Sequence, residues 1–122
     1  MERSPATMER LTRRADFLAT AGGNKAPAGA FVLQARARGD VAPARVGFTV
    51  TRKTGNAVER NRIRRRLREI VRLSGDAAMQ QGHDYVLIGR RSALNAPFDK
   101  MTDEFTRAVR RVHAQSKMAS RE

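Results

Sequence analysis

The sequence predicts an α+β fold, a two-layer α-β sandwich in which a sheet of three to four strands packs against helices. Short segments of alternating or continuous apolar residues occupy the middle of the chain, and longer segments with apolar residues at steps of three and four lie beside them. The chain has 122 residues, 40% of them hydrophobic, which suffices for one modest core. We therefore predict one domain over residues 8–115, with flexible ends at 1–7 and 116–122.

The first predicted element is a helix from Met8 to Ala21. Leu11, Ala15 and Leu18 follow helical spacing there, and the two glycines directly after Ala21 favour the end of the helix.

Three segments have the patterns of strands. Residues 30–37 and 45–51 alternate apolar and polar positions and are separated by a turn-forming Arg-Gly-Asp, so we predict two adjacent antiparallel strands. Residues 84–89 (DYVLIG) form a continuous apolar run, which is typical of the central strand of a covered sheet.

Two amphipathic helices complete the predicted fold. Within residues 98–112, apolar side chains recur at steps of three and four. The other helix lies between the second and third strands, where Ile63, Leu67 and Ile70 fall on one face. Gly55 or Asn56 supplies its N-terminal turn and cap, and Ser-Gly-Asp at 74–76 supplies its exit.

The opposite face of this helix is strongly basic. Only Glu59 and Glu69 offset its arginines, and arginines four residues apart, such as Arg64 and Arg68, destabilise an isolated helix by about 0.2–0.5 kcal/mol per pair. A helix that merely needs a solvated face would interleave more acidic residues. The pattern therefore indicates that a polyanion neutralises this face, and the formal net charge of +13 points the same way.

Among polyanions, structured RNA fits this helix best. A membrane-surface helix would carry large apolar and aromatic residues opposite its charges, and a DNA-reading helix would mix Asn, Gln, Ser and Thr with few arginines. Folded RNA presents dense phosphate clusters while its duplex bases are largely inaccessible, so an arginine surface suits it. A structural RNA-binding protein, such as a ribosomal component, is the alternative from another functional class.

Composition argues against several kinds of site. The chain has no cysteine, and its two histidines, His83 and His113, are far apart in sequence, so neither a disulfide nor a transition-metal site is predicted. Acidic residues of the last helix have the pattern of a solvated surface, and we expect no catalytic residue. No signal peptide or spanning helix is predicted, so we expect a cytoplasmic protein without a membrane partner.

The run RVGFTVTRKTGNAVERNRIRRRLRE, from Arg45 to Glu69, closely resembles the central motif of the bacterial ribonuclease P protein family, whose Arg-Asn-Arg box stands here at residues 60–62. The resemblance extends over residues 8–115. LT at 11–12 and DF at 16–17 are similar to the family's first helix, FVL at 31–33 to its core strand, and DYVLI at 84–88 to the strand after the box.

This resemblance implies an accessory subunit of a ribonucleoprotein enzyme, in which a catalytic RNA removes the 5′ leader from precursor tRNA. The expected partners are that catalytic RNA and precursor tRNA, with no protein partner evident. The expected cofactor is Mg²⁺ held mainly by the catalytic RNA, with no metal held by the protein alone. The subunit should lower the magnesium requirement and broaden the substrate range. The family fold also implies a left-handed crossover between parallel strands, against the usual right-handed rule.

The resemblance also implies which residues contact the catalytic RNA. Arg65, Arg68 and Arg72 point away from the apolar face, whereas Arg60 lies nearer to that face and is also suited to bonding backbone carbonyls. Asn56 is equally suited to an N-cap role. The expected RNA-binding residues are Lys53, Asn56, Arg60, Asn61, Arg62, Arg64, Arg65, Arg68 and Arg72.

In the family, a cleft between the first helix and the sheet holds the single-stranded leader. Of three aromatic positions common there, only Phe17 is kept, because Ala21 and Gln34 occupy the other two. Each stacked base contributes about 1–3 kcal/mol by alanine substitution, so this chain offers less stacking. Arginines on the first helix and the core strand would replace stacking with phosphate contacts, although Phe17 is also suited to a core position. The expected cleft residues are Arg13, Phe17, Gln34 and Arg36.

Overall fold

The computed structural model describes the backbone of residues 8–121 and the side chains of residues 8–75 and 78–115. Its elements are β1 (Glu9–Arg10), α1 (Arg14–Ala21), β2 (Asn24–Pro27), β3 (Phe31–Ala37), β4 (Arg45–Thr49), α2 (Ala57–Ala78), β5 (His83–Gly89) and α3 (Phe98–Arg121), with short 3-10 turns at Arg52–Thr54 and Arg91–Leu94. The α+β class is confirmed, with a five-stranded sheet in place of the predicted three to four strands. The predicted flexible end at 1–7 lies outside the described residues.

The strand order across the sheet is β1-β4-β5-β3-β2. β5 is antiparallel to β3 and parallel to β4, so the prediction that the segments 30–37 and 45–51 are adjacent was wrong. The reason is the apolar run of β5, most of which is buried. Such a strand is covered on both faces and paired on both edges only in the middle of a sheet. The predicted central position of this segment is confirmed.

Helix α2 connects two parallel neighbours, β4 and β5. A parallel pair requires a crossover connection, and α2 supplies it while it covers one face of the sheet. The crossover expected from the family fold is therefore present, and its left-handed sense stays a prediction.

The main core lies between the sheet and the helices α2 and α3. Phe31 of β3 packs against Phe105 of α3 with ring centroids 6.4 Å apart. Ile63 and Leu67 of α2 are fully buried, as the apolar face of the predicted helix requires. Alternate residues of β3 point to the other face of the sheet, where Arg36 meets Asp16 of α1. Helix α1 therefore lies on the opposite face from α2 and α3.

On the N-terminal side the structure differs from the prediction in one helix boundary and two additional strands. The helix expected to begin at Met8 begins only at Arg14, because Glu9–Arg10 pairs in parallel with β4 as a short edge strand. Residues 24–27, for which no strand was predicted, form β2 and pair antiparallel with β3. Strands of two and four residues are too short to show an apolar period.

Helix α2 extends beyond the predicted exit at 74–76 and ends at Ala78. Gly75 lies within the helix, where an added Cβ would stand 3.0 Å from the Met8 side chain and 3.0 Å from Val71. The glycine therefore permits close packing on the N-terminal segment and does not end the helix. Helix α3 continues to Arg121, past the predicted domain end at 115.

Candidate nucleic-acid interface

The N-terminus of α2 is held by reciprocal capping. The side chain of Asn56 accepts a hydrogen bond from the Glu59 N–H at 2.9 Å, and the Glu59 carboxylate accepts one from the Asn56 N–H at 2.9 Å. Glu59 also receives Arg91 at 2.8 Å, and Arg91 holds the pKa of this carboxylate below its usual range. The N-cap role for which Asn56 was suited is confirmed, and its side-chain oxygen is engaged within the protein.

Three arginines of α2 donate to backbone carbonyls in the segments at 52–55 and 91–97. Arg60 bonds Gly55 O at 2.7 Å in the turn before the helix, and the Nε of Arg62 bonds Leu94 O at 3.0 Å. Arg66 donates to Ala96 O and lies over the Phe98 ring. Burial lowers the pKa of Arg66, and the charge of Arg62 lowers it further. These arginines attach α2 to the segments at 52–55 and 91–97.

The remaining arginines of α2 face outward. Arg65 is exposed and has no hydrogen-bond or ion-pair partner within the described residues. Arg68 lies over the Phe48 ring, 5.9 Å from its centroid, and Arg72 pairs with Glu69 at the exposed surface. This outward face agrees with the helical geometry predicted from the sequence.

Arg64 and Asn61 lie at the junction between this outward face and the sheet. Arg64 donates to the side-chain oxygen of Asn61 at 3.0 Å and, more weakly, to Val50 O at 3.5 Å. Lys53 is exposed on the 3-10 turn that precedes α2. The cationic surface thus continues from the turn onto the helix.

A groove of about 170 Å³ separates α1 from α2 along the edge of β4. Arg64 and Arg68 form its rim on the α2 side, and Phe17 of α1 lies across from them. The other lining residues are Arg10, Leu11, Val46, Gly47 and Phe48. A second cavity of about 260 Å³ shares Arg10, Val46, Phe48 and Arg68 with the first and continues to Arg72. The two depressions therefore adjoin, and arginines lie at the rim of both.

The edge of β4 is open where the groove crosses it. β1 pairs only with Arg45 and Val46, so Gly47–Thr49 has no strand on its outer side within residues 8–121. Polar backbone groups, aromatic rings and guanidinium groups therefore meet in one depression. Such a combination suits an unpaired nucleic-acid strand, which offers phosphates and stackable bases.

The structure separates the four predicted cleft residues. Phe17 lies in the groove, packed so closely on β4 that a Cβ at Gly47 would stand 2.5 Å from the ring. Arg13 is exposed at the start of α1. Gln34 is buried, with 7% of its surface exposed, and Arg36 pairs with Asp16 and Asp84, so neither lines the groove.

Phe48 and Arg10 are among the groove residues that were not predicted as site residues from the sequence. Phe48 alternates with Val46 and Val50 and therefore has the pattern of a core residue, yet it is only half-buried because β4 lies next to the open side of the sheet. Arg10 lies on β1, which is too short to be predicted. One sequence signal could have identified Phe48: it lies on the strand that precedes the arginine helix.

The described residues contain no group of three or more His, Asp or Glu side chains placed to hold a metal ion. Among the helices in the described part of the chain, none is long and apolar enough to span a membrane.

An α+β sandwich that carries an outward arginine face on its crossover helix, beside a groove lined with aromatic rings, has the features of an RNA-binding protein. A family profile described as Ribonuclease P matches residues 6–113. The chain belongs to the ribonuclease P protein family.

Individual relatives agree with this assignment. The ribonuclease P protein component of Ruegeria pomeroyi is 48% identical over 107 residues, covering 85% of this chain and 86% of the relative. That of Bartonella quintana is 46% identical over 107 residues, covering 83% and 80%. Among solved structures, the RNase P protein from Thermotoga maritima superimposes with a TM-score of 0.71 at 30% identity, covering 85% of this chain and 97% of that one.

The chain is accordingly a protein subunit of ribonuclease P, a ribonucleoprotein endoribonuclease of tRNA processing. In this family the catalytic component of the enzyme is an RNA subunit. That RNA subunit is the partner of this protein.

Proposed function

We propose that this subunit binds the catalytic RNA through the outward face of α2 and binds the 5′ leader of precursor tRNA in the groove between α1 and α2. The observation that carries the proposal is that Arg64 and Arg68 form one wall of the groove that contains Phe17. One helix thus presents phosphate-binding groups both to the groove and to the outside. The two RNA molecules would meet along α2.

The contact with the catalytic RNA rests on the arginines that have no structural task. Arg65 is exposed and unpaired within the described residues, and Arg68 makes only a ring contact there. Arg72 and Lys53 extend the same surface. Asn56, Arg60, Asn61, Arg62 and Arg64 are bonded within the protein, so we propose that they support this surface and contact RNA through their remaining donors.

The leader contact combines stacking with phosphate binding. Phe17 and Phe48 supply two rings at the groove, which partly offsets the aromatic residues missing at positions 21 and 34. A guanidinium plane also accepts a stacked base, and Arg68 already lies over Phe48. Arg13 at the start of α1 extends the basic surface of the chain toward the phosphates of the leader.

The chemistry would belong to Mg²⁺ held mainly by the catalytic RNA. The subunit contributes charge: its arginines neutralise phosphates where leader and catalytic RNA converge, which lowers the magnesium concentration needed. Leader binding adds affinity common to all precursors, which broadens the substrate range. Precursor tRNA is made in the bacterial cytoplasm, and the proposed function places the protein there.

Cleavage of a 5′-extended precursor tRNA by the catalytic RNA of the same organism tests this function. At low magnesium, the protein should restore cleavage at the mature 5′ end, and it should be inert when added without the RNA. The matched control is mature tRNA, whose affinity for the holoenzyme should be lower because it lacks a leader. If the protein binds the catalytic RNA but changes neither cleavage nor precursor affinity, it is a structural RNA-binding protein.

A further inference from the structure

A buried aspartate organises the end of the sheet beneath α1. Asp84 of β5 has no exposed surface. Its carboxylate accepts hydrogen bonds from Arg38 at 2.6 Å, from Arg45 at 2.8 and 2.9 Å, and from Arg36 at 3.1 Å. Burial raises the pKa of Asp84, but the bonds from Arg45 and Arg38 outweigh it and hold the pKa below its usual range.

Two of these arginines also reach α1. Asp16 receives Arg36 at 3.2 Å and Arg45 at 3.4 Å, on different carboxylate oxygens. Arg36 and Arg45 are therefore each held between a carboxylate of the sheet and a carboxylate of the helix. The side chains concerned are between 19% and 28% exposed, so solvent screens these bonds only in part.

Helix α1 is short and depends on the sheet for its position. It has eight residues, its N-cap Arg13 makes no side-chain capping bond, and Thr20 is its one buried residue. Leu18 is 61% exposed. A helix this short is unstable by itself, so tertiary contacts must fix it. Its contacts to the sheet include the Phe17 ring on Gly47 and the carboxylate of Asp16, alongside the buried Thr20.

We propose that Asp16 is a positioning residue for the leader groove: through Arg36 and Arg45 it ties α1 to the buried Asp84 and so sets where the neighbouring Phe17 ring stands. Arg36, which was expected in the cleft, serves in this connection. The inference rests on the proposed leader binding in the groove, and it assigns a role to a carboxylate that would repel phosphate if it contacted RNA directly.

The test compares two aspartates that carry the same charge in the same network. Asp16→Asn removes the charge on α1 and keeps the shape of the side chain. Asp40→Asn is the matched control, because Asp40 is 49% exposed and pairs with Arg38 at the far margin of the network, away from α1. Each protein is assembled with the catalytic RNA, and dissociation constants are measured for precursor tRNA with a leader and for mature tRNA.

We expect Asp16→Asn to reduce the preference for the leader-bearing precursor by about 2- to 30-fold, the usual range for a residue that acts through its neighbours. Affinity for mature tRNA and for the catalytic RNA should not change, kcat at saturating precursor should hold, and Asp16→Glu should restore part of the preference. Amide hydrogen exchange should accelerate in residues 14–21 and not in α2. Asp40→Asn should leave the leader preference intact.

Three results would overturn the proposal. The first is a leader preference that Asp16→Asn leaves unchanged. The second is an equal loss of leader preference in both variants, which would show that the network stabilises the whole fold and does not position α1 in particular. The third is the absence of any leader preference in the unchanged protein, which would refute leader binding itself and the positioning role with it. Only this last result bears on the proposed function.

Discussion

Replacing Arg65 and Arg68 together with alanine should weaken binding to the catalytic RNA and flatten its dependence on salt. Both side chains lie on the outward face of α2, and neither bonds a backbone carbonyl in the described structure. Each phosphate contact contributes about 0.9 to the slope of log K against log salt on duplex nucleic acid, so losing two contacts should reduce the slope by about 1.8. Between 50 and 200 mM salt, the affinity ratio of the two proteins would then change by about tenfold.

The matched control is the pair Arg62→Ala and Arg66→Ala, which removes the same charge from the same helix. These side chains donate to Leu94 O and Ala96 O, and Arg66 lies over Phe98. We expect this variant to lose about 3 kcal/mol of stability, at about 1.5 kcal/mol for each of the two charged hydrogen bonds, with a smaller change of the salt slope. Arg65→Ala with Arg68→Ala should leave the unfolding free energy nearly unchanged.

Fluorescence anisotropy of labelled catalytic RNA, titrated at several salt concentrations, gives the slopes, and urea unfolding gives the stabilities. An unchanged slope in the Arg65 and Arg68 variant would remove the outward face of α2 from the RNA contact. Equal slope changes in both variants, at equal stability, would show that the division between structural and outward arginines is mistaken.

Other substitutions test the packing of α1 on the sheet and the contribution of the buried polar groups. Gly47→Ala should displace the Phe17 ring, since the new Cβ would stand 2.5 Å from it. The displacement should lower the midpoint of thermal unfolding and reduce the leader preference. Burial raises the pKa of Tyr85 to about 12, so its absorbance titration should have a midpoint near that value, and stability should decline as pH rises from about 10 through 12. Tyr85→Phe loses the bonds to His113 and to the backbone and should cost about 1 kcal/mol in urea unfolding. The depressed pKa of Asp84 stabilises the fold above about pH 4 and loses this effect as pH falls through the folded-state value, so Asp84→Asn should be less stable at neutral pH and less sensitive to acid.

Local patterns predicted the elements that bury long apolar faces. Ile63, Leu67 and Ile70 mark α2 because a helix of three or more turns repeats its period several times. The DYVLIG segment identified the central strand because a short, continuous apolar run is typical of a strand that is covered on both faces. The insertion of this strand between β3 and β4 is a pairing between distant segments, and nothing in either neighbour's own pattern specifies it.

The site was predictable in kind but not residue by residue. The helical wheel placed Arg65 away from the apolar face, and Arg65 is indeed exposed, as is Arg62. They differ because the loop at 91–97 brings an open carbonyl, Leu94 O, to Arg62 and none to Arg65. The role of Arg36 was hidden for the same reason, since its partners Asp16 and Asp84 come from separate parts of the chain.

The open edge of β4 matters to the protein before any RNA is bound. An unpaired strand edge is a template on which a second copy can add its own strand, and short edge strands and charged side chains are the usual protection. Here Arg64 and Arg68 stand beside Gly47–Thr49, so two copies approaching edge to edge would bring their guanidinium groups together. In the free subunit, the same charges that we propose bind RNA would thus oppose self-association. In the proposed complex, RNA would neutralise those charges and would itself cover the edge.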